Sequence, residues 1–323
     1  MDLVKGLHHV TAVTRDAQQN VDFYRNILGQ RLVKKTVNFD VPDTYHLYFA
    51  DEIGTPGSVV TFFAWPNMNR GVRGNGETAA VAYNIPAGSI GFWRDYLQGK
   101  GIPTQPVEQR FDVEVLAFDD PDGMRIELVA ADPPPEVRYW EGGPIPEIHA
   151  LRGFHSVTLW LDEVEPTAEL LVNVMGYQLA GQEGNRHRFT GGTGALANVL
   201  DILHRPRRPE DVPDEAVFGA GSVHHIAFRV PTDEEQIEYQ SALRVAGYGV
   251  TPVRDRQYFH SIYYHEPGGV LFEIATEPPG FAIDEPEEAL GESLKLPPWL
   301  EPSRSAIEQE LPPLTLNTVE QVK

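Results

Sequence analysis

Polar and apolar residues alternate through GLHHVTAVT, residues 6–14, the period of a strand with one face turned inward. An amphipathic helix pattern follows through FYRNILG and stops at Gly29, a residue type that ends helices. A further strand pattern begins at once. FHSVTLWLD and ELLVNVMG repeat that order and stop at Gly176. From His9 to Gly29 is 20 residues, and from His155 to Gly176 is 21.

A second similarity links two other stretches. DPDGMRIEL (residues 120–128) and EPGGVLFEI (266–274) carry acid, Pro, Gly and Glu at identical spacing. Upstream, AAVAYNIP and HHIAFRVP are strands ending at Pro86 and Pro231, which sets Ala80 opposite His225. Ala80 to Glu127 is 47 residues, and His225 to Glu273 is 48. A repeat of this kind marks a fold built from copies of one supersecondary unit. Each unit reads as a strand, a helix and about three strands, over 6–66, 77–131, 152–204 and 221–277. The Pro- and Gly-rich stretch 132–151 reads as a linker and GVRGNGE as a shorter one. Residues 278–323, with EPPGF, KLPPWLEPS and ELPPL, read as a proline-rich tail over the surface.

Four βαβββ units resemble the vicinal oxygen chelate superfamily, which includes glyoxalases, bleomycin-resistance proteins and extradiol dioxygenases. The resemblance spans about residues 6–277. It implies an α+β fold of four βαβββ modules in two domains, 1–131 and 152–277, with modules paired into cupped mixed β-sheets. A metal, where present, sits in the cup.

Composition narrows the chemistry. The 323 residues hold no cysteine, so a metal must be held by His, Asp or Glu. Net charge is −21, which argues against nucleic acid or an anionic membrane as a partner. Such a charge suits a very soluble or salt-adapted protein. No apolar run approaches a membrane span, and the start lacks an apolar signal core, so the expected location is the cytoplasm. A homo-oligomer is compatible with the sequence.

His-His pairs open two strands, at His8-His9 and His224-His225, and Glu273 lies late in the last unit. Strand alternation predicts that only one histidine of each pair turns into the cup. Two histidines and one carboxylate on one face form the facial triad of non-haem Fe(II) oxygenases. The first-strand ligand has two candidates. His9 is one; His155, read as aligned with His9, is the other, and would place all three ligands in the C-terminal half. Glu127 and His155 also suggest a second site, but Ala80 stands where its next ligand would be, and both read as relics or structural residues. A hairpin accounts for His46 and Asp51 in YHLYFADEIGTPG, and a solvated strand for His187.

GLHHVT, YHLYFADEIGTPG, RGFHSVT, EGNRHRF, VHHIAF, RQYFHSIYY and PGGVLFE resemble the hydroquinone-cleaving dioxygenases of chlorinated-phenol and lindane breakdown and bacterial ring-cleaving relatives involved in quinone resistance. The resemblance implies metal ligands His9, His225 and Glu273, with modules one and four sharing a cup and modules two and three sharing an empty one. It adds His8, His224, Arg256 and Tyr263 around the substrate. It implies Fe(II), with Mn(II) also suited, dioxygen as co-substrate and a small aromatic substrate. Two alternatives share the fold: a glyoxalase-type lyase or isomerase, and a non-catalytic aromatic-binding resistance protein. A glyoxalase usually needs a second glutamate, and Thr61 and Phe62 stand where it would sit.

Overall fold

The computed structural model describes residues 4–131, 137–191, 196–207 and 215–322; part of the expected linker, 132–136, lies outside them. Module one contains β1 (Leu7–Thr14), α1 (Ala17–Asn26), β2 (Arg31–Val37), β3 (Tyr45–Ala50) and β4 (Val59–Ala64). Module two contains β5 (Glu77–Ile85), α2 (Ile90–Gly99), β6 (Glu108–Arg110), β7 (Val113–Asp119) and β8 (Arg125–Ala130). Module three contains β9 (Phe154–Leu161), α3 (Glu165–Asn173), β10 (Gln178–Glu183), β11 (Arg186–Thr190) and β12 (Val199–His204). Module four contains β13 (Val223–Val230), α4 (Asp233–Val245), β14 (Arg254–Asp255), β15 (Phe259–His265) and β16 (Leu271–Pro279). A short α5 (Arg304–Glu310) lies in the tail.

Local chemistry sets the helix ends. Asp16 caps α1 by accepting from the Gln19 amide at 3.0 Å. Thr232 caps α4, whose first turn carries Asp233, Glu234 and Glu235 at the positive end of the helix dipole. Gly29 follows α1 at φ +74°, which ordinary residues rarely adopt.

The modules pair into two eight-stranded mixed sheets, ordered β14-β15-β16-β13-β1-β4-β3-β2 and β10-β11-β12-β9-β5-β8-β7-β6. In each, two parallel pairs meet at one antiparallel junction: β1 with β13, and β5 with β9. The sheets do not follow the sequence halves 1–131 and 152–277, because each takes one module from each half. One apolar core, including Val10, Ile226, Val81 and Val157 with α1 to α4, fills the space between the sheets.

Both junctions are bulged. Leu7 pairs with Phe228 and His9 with Ala227, so His8 is an inserted residue; Thr11 pairs with His225 and Ala12 with Val223, so His224 is another. A bulge lets two successive side chains leave the same face. Leu7, Val10 and Ala12 enter the core, while His9 and Thr11 line the cup, so the alternation slips by one across His8. The expectation that only one histidine of each pair turns inward is therefore corrected for His224 and His225. His224 and His225 both line the cup, and His8 lies against His9. In the other sheet the inserted residues are Ala79 and His155. His155 thus corresponds to His8, and Ser156 to His9, one residue away from the alignment expected from sequence.

The linkers and the tail do more than connect. The segments before modules two and four pair through Arg70–Ala220, Val72–Val217 and Asn75–Glu215 bridges. A Cβ on Gly74 would come 2.4 Å from the Glu215 backbone, so glycine permits this approach. The tail does not simply lie on the surface. Phe281 and Leu290 join an apolar cluster with Tyr48, Tyr258 and Phe259 beside the cup. Behind it Lys34, wholly buried, places Nζ 2.6 Å from Asp284 and 2.5 Å from Glu285. Removing one partner of a buried ion pair strands the other charge. Lys34→Met is therefore expected to lower stability by about 3 kcal/mol and to open the tail to proteolysis. Denaturant unfolding and limited digestion check this; a loss below about 1 kcal/mol would mean apolar packing alone holds the tail.

Candidate metal centre

The β1–β13 junction brings His9 and His225, 216 residues apart in sequence, to 3.3 Å between their Nε2 atoms. The parallel neighbour β16 adds Glu273 one strand away, in register with Ala227. Its Oε2 lies 3.4 Å from His9 Nε2 and 2.9 Å from His225 Nε2. Among the described residues these three form the group whose ligand atoms converge closely enough for one ion. All three are buried, and beyond the two facing imidazoles Glu273 Oε2 meets no hydrogen-bond donor among the described residues. With those imidazole nitrogens bare for ligation, such a buried carboxylate oxygen is costly unless something cationic meets it. Adjacent ligands on metal bonds of about 2.1 Å stand about 3 Å apart, which is the spacing of these atoms. The residues therefore fit a divalent ion bound on one face, with the rest of its shell open.

The outer histidines orient the inner ones. His8 Nδ1 lies 2.9 Å from His9 Nδ1, and His224 Nδ1 2.8 Å from His225 Nδ1. With each inner Nδ1 engaged, Nε2 is the nitrogen that faces Glu273. A hydrogen bond to the second ring nitrogen fixes the tautomer and direction of a ligand histidine. Burial holds His225 below the usual imidazole range, and lowers His224 to about 3. Burial and the adjacent His9 push His8 well below it too. Imidazoles held neutral are what ligation requires. Burial would raise the Glu273 carboxyl, but the facing His9 and His225 outweigh it and hold it well below the carboxylate range. Ser261 Oγ donates to the other carboxylate oxygen.

The cup over these residues is a cleft of about 590 Å³, its open mouth included, with Tyr48, Phe63, Trp65 and Phe259 as aromatic walls. Tyr263, opposite Glu273 on β15, sets its ring 5.6 Å from that of His225. Arg256 Nε donates to the Tyr263 oxygen at 3.2 Å, and Nη1 reaches Asp40 of module one at 3.0 Å. Burial and nearby Glu273 push the Tyr263 phenol upward, so it stays protonated at neutral pH. Arg256 is raised by the facing Tyr263 and Asp40, against burial, and stays charged. The structure thus collects all seven residues singled out in the sequence.

Sequence reasoning missed His46, which it left to a hairpin. His46 lines the cleft, with Nδ1 2.9 Å from Tyr48 Oη and Nε2 2.7 Å from Thr61 Oγ1. Thr61 Oγ1 is 2.8 Å from Thr11 Oγ1. The available signal was His46 and Tyr48 two apart in an otherwise apolar strand, hence on one face. Thr61 pairs with Thr11 as Glu273 pairs with Ala227, so it occupies the place where a second carboxylate would complete a four-residue ligand set. Glu127 and His155 lie in the other sheet. Glu127 is held by Arg110, through contacts of 2.7 and 3.1 Å, and His187 lines neither cup.

Residues 6–128 and 153–274 match the family model of the Glyoxalase/Bleomycin resistance protein/Dioxygenase superfamily. A Bacillus subtilis protein named as a ring-cleaving dioxygenase is 44% identical over 315 residues, 98% of each chain. The chlorohydroquinone/hydroquinone 1,2-dioxygenase of Sphingobium indicum is 39% identical over 306 residues, 92% of this chain and 93% of that one. A crystal structure of a Bacillus subtilis protein described as a dioxygenase superposes with TM-score 0.91 at 42% identity, covering 99% of this chain and all of that one. Glyoxalase I of Zea mays shares the fold, with TM-score 0.60 at 13% identity over 84% of this chain and 92% of that one. These matches run through all four modules, and the chain belongs to the Glyoxalase/Bleomycin resistance protein/Dioxygenase superfamily.

Proposed function

We propose that this protein is an Fe(II)-dependent, extradiol-type ring-cleaving dioxygenase acting on hydroquinones or related dihydroxy aromatics. The observation that carries the reading is the three-residue ligand set His9, His225 and Glu273, with Thr61 in place of a fourth ligand. Three protein ligands leave positions for substrate and dioxygen, whereas a glyoxalase-type centre usually spends one on a second glutamate. The relatives named as ring-cleaving and hydroquinone dioxygenases support the same reaction class.

When bound, Fe(II), or Mn(II) on the same ligands, supplies a Lewis acid for a phenolate oxygen and a redox partner for dioxygen. The remaining work falls to the chain. The aromatic walls match a flat ring and exclude water. Arg256, a fixed cation braced by Asp40, holds a phenolate or a developing anion. Tyr263 Oη donates to a substrate oxygen. His224 accepts the His225 Nδ1–H at its own Nδ1, which puts its proton on Nε2 and lets it donate a hydrogen bond to a substrate oxygen at the cleft. His8 keeps His9 aimed at the metal.

The test is oxygen uptake on hydroquinone, methylhydroquinone and catechol by protein purified anaerobically with Fe(II), beside Glu273→Ala. Uptake with a ring-opened product, lost in the variant, is the expected result. Stoichiometric iron with no uptake on any of the three would overturn the assignment and turn attention to hemithioacetals. Arg256→Gln should lower kcat/KM by about a hundredfold while retaining metal, because it removes charge stabilisation and no ligand. His8→Ala or His224→Ala should weaken metal binding or activity by about ten- to hundredfold, read from metal titration.

The site also predicts a pH dependence. Protonation of His225 competes with the metal, and its burial-lowered pKa places that competition below the usual imidazole range. Metal retention should therefore hold at pH 6.5 and fail only under more acidic conditions. Equilibrium dialysis across that range reads it directly, and half-release near pH 6.5 would contradict the site as described.

A further inference from the structure

The second cup, built by modules two and three, has lost the metal chemistry residue by residue. Ser156 stands where His9 does, Ala80 where His225 does, and Asp201 where Thr61 does; only Glu127 keeps the place of Glu273. Arginines have taken the space. Arg110 grips Glu127 with both Nη atoms, at 2.7 and 3.1 Å, and Arg188 grips Asp201 with Nε and Nη2, both at 2.9 Å. Arg186 reaches Asp201 at 3.0 Å and Thr158 at 2.9 Å, using Nη1 for both. Three guanidinium groups thus face two buried carboxylates, Glu127 and Asp201. Around them Arg73 pairs with Glu77 and Arg125 with Asp119, while Glu108, two-thirds exposed, touches Arg110.

On the floor of this cup three guanidinium groups, Arg110, Arg186 and Arg188, meet two buried carboxylates, with the exposed Glu108 at the rim beside Arg110. Arg186 shares the single carboxylate of Asp201 with Arg188 and is the guanidinium with donors to spare. Its side chain is 12% exposed, and Nε and Nη2 find no acceptor among the described residues. Burial and the neighbouring Arg110 pull it below the ordinary guanidinium range, as expected for a cation that shares its counter-charge. Beside it opens a cleft of about 820 Å³, mouth included, into which Ala80 presents only a methyl group. Partly buried guanidinium donors that open onto an unfilled, polar space form a receptor for a planar oxyanion.

We propose that the second cup is a binding site for a small organic carboxylate, held by Arg186 with Arg110 over the methyl of Ala80. The carboxylate takes the free Arg186 donors in the side-by-side geometry that a guanidinium fork favours. The site is separate from the metal cleft, being formed on the other sheet.

The test is calorimetric titration and thermal shift of the full chain with maleate, against chloride at equal ionic strength and against inorganic phosphate. Maleate should bind and stabilise the protein more than either. Arg186→Gln, in which Arg188 still holds Asp201, should weaken binding by about tenfold or more with oxygen uptake unchanged. Ala80→Glu, which tethers a carboxylate in the cleft, should abolish maleate binding and raise the melting temperature. That variant decides the matter should Arg186→Gln fail to fold. Absence of binding overturns the proposal, as does binding that survives in both variants, which would place the ligand elsewhere. Phosphate binding as tightly as maleate overturns the carboxylate assignment.

Discussion

The whole candidate centre hangs on one piece of backbone pairing, the antiparallel ladder between β1 and β13. It joins the first module to the last and closes one cup from elements at opposite ends of the chain. Its two bulges matter as much as its hydrogen bonds. A regular ladder would send His8 and His224 into the apolar core, where an unpaired imidazole is costly. One inserted residue on each strand instead sets the two histidines of each pair against each other. The outer ring then steers the inner one, and the two inner rings meet over Glu273.

The second sheet repeats that scaffold and its bulges, with different side chains at the equivalent positions. The backbone keeps its shape because the apolar positions between the sheets are shared by all four modules. The cup positions are free to change, since they face open space rather than the core. One cup gathers imidazoles and a carboxylate that lacks a cation. The other gathers guanidinium groups around two carboxylates and leaves Arg186 with donors to spare. The same geometry, a concave sheet with inward-facing polar residues, makes either arrangement available.

The tail and linkers stabilise this architecture from outside. Lys34 would be expensive to bury alone, but Asp284 and Glu285 meet it and draw the tail against module one. That contact sets Phe281 and Leu290 into the apolar cluster that includes Phe259, a wall of the metal cleft. Trp299 packs edge-on against Phe39, another residue of the same cleft. The proline-rich segment thus shapes the site although none of its own residues lines it.

Local spacing in the sequence determined the repeat, the order of strands and helices within each module, the type of residue available to hold a metal, and the glutamate near the end of module four. These are properties of short windows, where periodicity and helix-stopping glycines act directly on the backbone. The resemblance to ring-cleaving enzymes singled out His9 over His155 before any geometry was known. Tertiary structure alone decided the rest. Bulges arise from how two strands accommodate each other, so neither strand announces that His224 turns into the cup, that His8 comes to lie against His9, or that His155 answers to His8. The place of His46 depends on Tyr48 and Thr61 closing around it, and the spare donors of the second cup depend on three arginines converging from β6 and β11. Side-chain identity is a local quantity, but the field and the open space that give it a function are sums over neighbours distant in sequence.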